Sequence, residues 1–258
     1  MILVGISGAI DHGKTTLAEF LVDAAPSASH FESSEIIMEV ANALRASSAS
    51  PSAEDMTAIT AWLQALPQIL ADCVHVNIRF SDLQITPEGL QSGYEFATLI
   101  AYLRLMELQP ELLEKPINSS NKDDFRPLLQ WLGGYIAKKI SGRLWYNEII
   151  RRGKASGAEL VVSGGVRFPE DAACLRNAGG IIISINRPSM NIPMSDDVTE
   201  RERTEIIPDV TVINDGSLQA LKLVAKEVYD DIAAGHAKPM YMASNFEPKA
   251  RTGLSLAS

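Results

Sequence analysis

The chain carries two patterns of hydrophobic and polar positions, one near its ends and another in its middle. Near the ends, short apolar runs typical of buried strands alternate with segments of helical period. The runs that predict strands are residues 2–7, 29–32, 159–163, 181–185 and 210–213. The fourth run is rich in isoleucine, as expected of a strand covered on both faces. Strands separated by helices in this way predict a parallel sheet.

Helices are predicted after most of these strands. Their bounds are residues 14–24, 35–45, 169–177 and 218–233. Ser33 and Ser34 are predicted to cap the second of these helices, and Glu35 adds favourable charge in its first turn. Ser217 is predicted to cap the last helix, because a serine hydroxyl accepts hydrogen bonds from backbone N–H groups at that position.

The middle of the chain, about residues 50–156, is mostly helical in pattern. Its predicted helices are residues 54–74, 90–113, 125–139 and 144–154, and Pro67 is a point of interruption in the first of them. Residues 76–80 fit either a strand or a loop. The whole pattern predicts one α/β domain over residues 1–234 with a helical insertion in it. Residues 235–258 lack an apolar period and are predicted to form a mobile tail.

Composition excludes several classes of protein. The 258 residues are 46% hydrophobic, which allows a sizeable core, and the formal net charge of -9 argues against a general grip on nucleic acid. Cys73 and Cys174 provide neither a disulfide framework nor a metal-ligand spacing. No segment has the pattern of a membrane span or a secretory signal. We therefore expect a soluble cytoplasmic protein without membrane or nucleic-acid partners, and the sequence leaves a homodimer open.

The most informative motif lies at the junction between the first strand and the first helix. It has the pattern G-x-x-x-x-G-K-T, within the run Gly8-Ala9-Ile10-Asp11-His12-Gly13-Lys14-Thr15-Thr16. In a strand–loop–helix context this pattern indicates a phosphate-binding loop. The two glycines let backbone N–H groups turn around an anion, and the helix N-terminus adds its dipole. The alternative is an ordinary glycine-rich turn with an exposed lysine.

Specific roles follow for this loop. All of residues 8–16 are predicted to contact a bound nucleotide. Lys14 is expected to reach the β- and γ-phosphates of ATP, and the Thr15 hydroxyl to bind Mg²⁺. The side chains of Asp11 and His12 are expected to point outward, because the backbone amides of such a loop make the contacts.

Other candidate residues lie where predicted strands end, which is where parallel sheets bind ligands. Ser33 and Ser34 are predicted to contact a substrate. Arg167 follows two glycines at one strand end. Arg187 is predicted to meet the base or ribose of the nucleotide, with a surface structural role as the alternative.

Four further segments, taken in order, point to a family. They are Phe125-Arg126-Pro127-Leu128-Leu129-Gln130-Trp131-Leu132-Gly133, Val161-Val162-Ser163-Gly164-Gly165-Val166-Arg167, Asn186-Arg187-Pro188 and Asp197-Val198-Thr199-Glu200. Together with the first loop they resemble the phage-type deoxynucleoside monophosphate kinases. The resemblance covers residues 1 to about 232 and is weakest between residues 46 and 120.

The resemblance implies a fold and an activity. The fold is the three-layer sandwich of the P-loop NTPases, with a parallel sheet and a helical insertion. The activity is transfer of the γ-phosphoryl of ATP to a deoxynucleoside monophosphate in the presence of Mg²⁺. By the same resemblance, Arg126 and Gln130 lie on a helix beside the monophosphate, and Arg167 matches an arginine at a strand end.

The chain departs from the family pattern at three positions. Pro127 stands where the family often has a second arginine, and Asp197 stands where it has a histidine. Gly165 stands where it usually has an acid that would help to hold the metal or its waters. Glu35 and Asp82 are two acids that could replace the missing one, and the sequence does not decide between them.

Phosphoryl transfer also requires a grip on the acceptor phosphate. A guanidinium suits this role because its planar fork holds two oxygens at once. Arg126 is the first candidate, Arg167 the second, and Arg143 the best of a basic group that would form either a lid or a solvated face. That group is Lys138, Lys139, Arg143, Arg151 and Arg152. Together with Lys14, the arginines at 126, 143 and 167 are the predicted catalytic residues.

Gln130 is predicted to bind the base edge, because a glutamine inside an apolar helix needs a partner. The predicted reaction is therefore ATP plus a nucleoside monophosphate, deoxy or ribo, giving ADP and the diphosphate. One alternative is another small-molecule P-loop kinase. The other is a nucleotide-binding regulatory protein that has lost catalysis, an interpretation favoured by the departures from the family pattern.

Overall fold

The computed structural model describes residues 1–190 and 202–243 of the chain. Its strands are β1 (Ile2–Ser7), β2 (Ala28–His30), β3 (Leu160–Ser163), β4 (Ile181–Asn186), β5 (Val210–Asn214) and β6 (Met240–Ala243). They form one sheet in the order β2-β3-β1-β4-β5-β6. Every neighbouring pair is parallel. The prediction of a parallel α/β sheet is confirmed.

Helices make up most of the remaining described chain. They are α1 (Lys14–Ala24), α2 (Ser33–Ser47), α3 (Met56–Leu63), α4 (Leu66–Val74), α5 (Pro87–Ser92), α6 (Ala97–Leu108), α7 (Arg126–Gln130), α8 (Ala137–Ile140), α9 (Leu144–Ser156), α10 (Pro169–Asn177) and α11 (Leu218–Ala233). A π-helical segment, Trp131–Ile136, joins α7 to α8. No helix in the described ranges combines the length and the apolar character that a membrane crossing requires.

Helices flank the sheet on both faces. Successive side chains of a strand point to opposite faces, so β1 contributes to two separate hydrophobic clusters. Leu3 packs with the cluster formed by α2, α9, α10 and the insertion helices. Val4 and Ile6 pack with the cluster formed by α1 and α11. The sheet is therefore the middle of three layers, and the insertion adds to one of the outer layers.

The helices of the insertion are interrupted more often than the sequence pattern predicts. Instead of one helix over residues 54–74, α3 ends at Leu63 and α4 starts at Leu66, with Pro67 in its first turn. Proline fits there because its missing N–H would have no partner within the helix in any case. Residues 75–79 form no strand, and the predicted helix at 90–113 is divided by a short 3₁₀ turn.

The prediction of a mobile tail from residue 235 is wrong for the first part of that segment. Residues 240–243 form β6, which pairs with β5 at the edge of the sheet. The side chains of Tyr241 and Ala243 are buried, and the Tyr241 hydroxyl donates to Asp231 of α11 at 2.9 Å. The exposed positions of this strand are Met240 and Met242, so the sequence shows no alternation of apolar and polar residues here.

A buried ion-pair network joins α2, α4 and α9. The Glu148 carboxylate, 2% exposed, accepts from Arg151 Nε at 2.7 Å and Arg152 Nε at 2.8 Å. Arg152 also donates to Glu39 of α2 and to the carbonyl of Cys73 in α4. Burial raises the pKa of Glu148, but the hydrogen bonds from both arginines outweigh it and bring the pKa below its usual value. Two members of the basic group considered for a lid therefore have a structural role.

Replacing Glu148 with glutamine is expected to destabilise the fold. The change removes the buried negative charge that pairs with the partly buried Arg152. We therefore expect a loss of about 2–4 kcal/mol in the free energy of unfolding. Urea denaturation measures it. The control is Asp230→Asn, which removes an exposed pair with Lys226 on α11 and should change stability by less than about 0.5 kcal/mol. Equal effects of the two substitutions would contradict the structural role of Glu148.

Candidate functional site

The candidate site lies at the edge of the sheet where the strands end. In a parallel sheet all carboxyl ends lie on one side, and ligands bind where the direction of chain connection changes. Here β1 lies between β3 and β4, so the chain runs to one side of β1 first and later crosses to the other. The segments that follow β1, β2, β3 and β4 all reach this edge.

The loop from Gly8 to Gly13, called the glycine loop below, passes very close to β4 and β5. A Cβ atom on Gly8 would lie 2.6 Å from the carbonyl oxygen of Ile185, and one on Gly13 would lie 2.7 Å from Asn214 Nδ2. Gly13 also has a φ of 99°, in the left-handed region that favours glycine. Gly8 is therefore required because a side chain there has no space. Gly13 is required for two reasons, its left-handed conformation and the same lack of space.

Polar contacts hold the glycine loop in place from the other side. Asn214 Nδ2, at the end of β5, donates to the carbonyl oxygen of His12 at 3.0 Å. The backbone N–H of Arg187, after β4, donates to His12 Nδ1 at 3.2 Å. His12 therefore has a positioning role in the loop, and its ring is turned toward the segment after β4 and not outward as the sequence predicted.

A cavity of about 290 Å³ opens on the glycine loop. It is lined by Asp11, Gly13, Lys14, Thr15 and Thr16. The Lys14 ammonium group donates to the carbonyl oxygen of Ala9 at 2.6 Å, so it lies across the loop. Thr15 is exposed at the start of α1, where the helix dipole favours an anion. The cavity thus combines an ammonium group, hydroxyls and a helix N-terminus.

The second part of the site is a carboxylate beside two glycines. Glu32 follows β2, and a Cβ atom on Gly164 would overlap its Oε1 atom. A Cβ on Gly165 would lie 3.4 Å from Oε2. Glu32 Oε1 is also 2.8 Å from His30 Nε2, and this hydrogen bond is the main cause that raises the pKa of His30. The glycines after β3 therefore leave room for the Glu32 carboxylate.

The start of α2 differs from its prediction. The helix begins at Ser33, so Ser33 and Ser34 lie in its first turn and are not its caps. Glu32 occupies the N-cap position and its N–H donates to Glu35 Oε2 at 3.4 Å, which forms a capping box. The two serines remain at the carboxyl edge of the sheet and half-buried.

This geometry also bears on the acid missing at Gly165. Glu35 takes part in the capping box, and Asp82 pairs with Arg79 in the insertion. The acid that lies against Gly165 is Glu32, which the sequence analysis did not select. The available signal was its place as the last residue of the predicted second strand.

The candidate arginines occupy two parts of the site. Arg167 is exposed after β3, and its backbone N–H donates to Asp171 at 3.4 Å. Arg143 is exposed at the start of α9. Its charge acts on the Cys174 thiol, although burial dominates and raises the pKa of that thiol. Arg167 and Arg143 are thus both near α10.

Arg126 and Gln130 lie at the two ends of α7, which packs against α2. Both side chains are exposed. The premise that Gln130 is buried in an apolar helix is therefore wrong, and its predicted contact with a base rests only on its position. The predicted role of Arg126 is compatible with its exposure.

A π-helical segment follows Gln130 directly. Within it, the carbonyl oxygen of Gly133 accepts from Trp145 Nε1 at 3.2 Å. A Cβ on Gly133 would lie 3.1 Å from Ile37 of α2, so the two helices approach closely here. Such π-helical turns occur frequently at functional sites. The pattern of residues 125–139 predicts a regular helix and gives no sign of this turn.

Two buried polar groups lie beneath Arg167. Asp171, 7% exposed, accepts from the N–H of Phe168 at 3.2 Å, and burial raises its pKa to about 7. The Tyr146 hydroxyl is buried beside the Ser163 side chain. Burial, reinforced by the carboxylates of Asp171 and Glu32, raises the pKa of Tyr146 well above its usual value.

The residues present fit a magnesium ion bound together with phosphates. No group of three or more histidine, cysteine or acidic side chains that could hold a metal occurs in residues 1–190 and 202–243. Mg²⁺ in phosphate-transfer sites generally needs no such cage, because one or two protein oxygens, phosphates and waters complete its octahedron. The Thr15 hydroxyl and the Glu32 carboxylate are oxygen donors of the required kind.

Comparison with known proteins identifies no family for this chain. No protein-family model matches it, and no curated protein matches it either. The predicted family motif at 197–200 lies outside the described residues. What the structure defines is a parallel α/β protein whose glycine loop, cavity and Glu32 carboxylate share one edge of the sheet.

The raised pKa of Asp171 predicts a dependence of stability on pH. Between the unfolded pKa of about 3.9 and the folded value of about 7, the folded state binds more protons, so stability falls as pH rises. Asp171→Asn removes this titration, and its stability relative to the wild type should rise by about 2–4 kcal/mol from pH 4 to pH 8. Urea unfolding across this range measures the difference.

The control for this experiment is Asp72→Asn, at an exposed position on α4. It should follow the pH dependence of the wild type. His30, whose pKa is raised, also makes stability fall as pH rises through its folded pKa, but it is present in all three proteins. Parallel curves for Asp171→Asn and the wild type would contradict the prediction.

Proposed function

We propose that this chain is a P-loop kinase that transfers the γ-phosphoryl group of ATP to a nucleoside monophosphate, with deoxynucleoside monophosphates as the favoured acceptors. The observation that carries the proposal is the glycine loop between β1 and α1, with Lys14 and Thr15 on its cavity, at the point where the chain connections of the sheet change side. The G-x-x-x-x-G-K-T pattern supports it independently of the geometry.

The donor half of the proposed site is built on the glycine loop. Close packing on β4 and β5 holds the loop before any ligand binds, which reduces the ordering cost of binding. Lys14 supplies positive charge for the phosphates, and the start of α1 adds its dipole. Arg187 follows β4 beside His12, and its proposed role is to contact the remainder of the nucleotide.

The acceptor half lies over β3 and β2. Arg167 and Arg143 are exposed near α10, and each offers a planar fork for phosphate oxygens. Ser33 and Ser34 add hydroxyls at the start of α2, and Arg126 and Gln130 lie on the helix that packs against α2. Together with donor-side charges, these arginines would stabilise the negative charge on the transferring group.

Magnesium completes the proposed chemistry. When bound, it neutralises charge on the phosphate oxygens of the donor. The Thr15 hydroxyl would hold it on the donor side. Water must be kept away during transfer, because an open site hydrolyses ATP, and the helical insertion is the part of the chain suited to cover the site.

Two alternative functions can be tested by the same experiments. Another small-molecule P-loop kinase would share the donor half and differ in its acceptor. A nucleotide-binding protein without catalysis is favoured by Gly165, Pro127 and Asp197, which depart from the pattern of the family that the sequence resembles.

The decisive assay is phosphotransfer from ATP to the common ribo- and deoxyribonucleoside monophosphates. We expect transfer to at least one deoxy-monophosphate, and a loss of about 100-fold or more in Lys14→Ala because the phosphates lose a positioned charge. The control is Lys154→Ala, an exposed lysine in the last turn of α9. ATP binding without transfer to any monophosphate would favour the regulatory alternative, and an absence of ATP binding would refute the proposal.

A second test uses two glycines with similar backbone conformation. Gly13 (φ 99°) and Gly179 (φ 82°) both have positive φ, but a Cβ would collide with Asn214 only at Gly13, whereas nothing lies within 4 Å at Gly179. Gly13→Ala should weaken ATP binding at least about 10-fold, corresponding to 1.4 kcal/mol, while Gly179→Ala keeps the wild-type affinity. Isothermal titration with Mg²⁺ and ATP measures both. Equal affinities would show that the loop geometry does not determine binding.

A further inference from the structure

The space beside Gly164 and Gly165 is filled by a side chain from the neighbouring strand. Glu32 follows β2, which pairs with β3, and its carboxylate lies against both glycines. Any side chain at 164 would overlap Glu32 Oε1, and the positive φ of Gly165 also favours glycine there. The glycine pair and the glutamate are therefore matched, since the carboxylate could not occupy this space beside a residue with a Cβ at 164.

Glu32 contacts its own chain in two ways. Its backbone N–H joins the capping box of α2, and its Oε1 meets His30. A serine, threonine or aspartate would serve as an N-cap equally well. The Glu32 side chain remains 25% exposed at the edge of the sheet where strands end, so its carboxylate is accessible to a ligand there.

The surroundings point in the same direction. The Tyr146 hydroxyl is buried beside the Ser163 side chain, and it lies within the electrostatic influence of Glu32 and Arg167. These groups form one polar region beneath the acceptor half. Since β2 is two strands from β1, the strands that precede Glu32 and the glycine loop are about 10 Å apart, a distance that a metal ion with its waters and phosphates can bridge.

We propose that Glu32 is the positioning acid of this site. This proposal rests on the proposed kinase function. Glu32, which follows β2, has the role that an acid at position 165, after β3, would otherwise have. It would accept hydrogen bonds from the waters of the bound magnesium ion and so orient the ion toward the acceptor phosphate. Carboxylates that orient metal-bound groups in this way typically affect metal affinity or activity 10- to 100-fold.

The first test is Glu32→Gln, which preserves the shape of the side chain and removes its charge. We expect kcat/KM to fall about 10- to 100-fold, with a rise in the Mg²⁺ concentration needed for half-maximal rate. The readout independent of activity is Mn²⁺ binding to the protein with a non-hydrolysable ATP analogue, followed by electron paramagnetic resonance. That affinity should fall about 10-fold or more, while binding of the analogue without metal stays unchanged.

The matched control is Glu35→Gln. It disturbs the same capping box from its other side without contacting either glycine. It should keep the wild-type dependence on Mg²⁺ and the wild-type affinity for Mn²⁺. If Glu35→Gln and Glu32→Gln weaken metal binding equally, Glu32 acts only through the helix cap and the proposal is overturned.

A second experiment moves the carboxylate from position 32 to position 165. It distinguishes a loss of metal binding from a loss of folding. In Glu32→Ala/Gly165→Asp, a carboxylate on β3 takes over the vacated space, and aspartate tolerates the left-handed conformation better than most residues. Partial recovery of Mn²⁺ affinity relative to Glu32→Ala alone is expected, with thermal unfolding confirming that both variants fold. No recovery in folded protein would count against the proposal.

The outcomes separate the two proposals. If the wild type transfers phosphate and Glu32→Gln keeps its Mg²⁺ dependence and Mn²⁺ affinity, the role of Glu32 is refuted and the kinase function stands. If the wild type binds nucleotide and metal but transfers to no acceptor, the kinase proposal fails. In that case, a loss of Mn²⁺ affinity in Glu32→Gln still places the carboxylate at the metal.

Discussion

Gly8 and Gly13 let the loop after β1 run directly against the ends of β4 and β5, and the candidate site depends on this contact. The carbonyl oxygen of Ile185 and the amide of Asn214 occupy the space that any side chain at those two positions would need. Asn214 then bonds to the backbone of the loop that it restricts. Residues distant in sequence therefore determine the conformation of a short local motif, which is what pre-organises its cavity.

The helical insertion forms the opposite side of the site, and charge holds part of it together. Glu148 is almost fully buried and is compensated by Arg151 and Arg152, and Arg152 also connects α9 to α2 and α4. A buried ion pair of this kind adds little net stability over apolar packing, but losing one partner is costly. The pairs thus fix how α9 is oriented, and α9 carries Arg143 and Tyr146 toward the site.

Local pattern predicted the elements with strong periods. The bounds of β1, α1, α10 and α11 agree with their predictions, and Ser217 caps α11 through a hydrogen bond to the N–H of Ala220. β6 was missed because its exposed positions are methionines and give no apolar–polar alternation, and the break between α3 and α4 was foreseen only as a possible effect of Pro67. The π-helical turn after α7 was not predicted; its contacts are with residues outside the segment, Ile37 of α2 and the indole of Trp145.

The sequence by itself determined the parallel α/β class and the candidate loop at residues 8–16, because strand alternation, helical period and a glycine motif are properties of neighbouring residues. Only the tertiary structure decided that Glu32 lies against Gly165, that Gln130 is exposed and that Arg152 reaches Glu39 of α2. Each of these depends on strand order or helix packing, which brings together residues far apart in the chain. The residues that neighbour a charged side chain in sequence do not show which distant residue the fold will bring into contact with it.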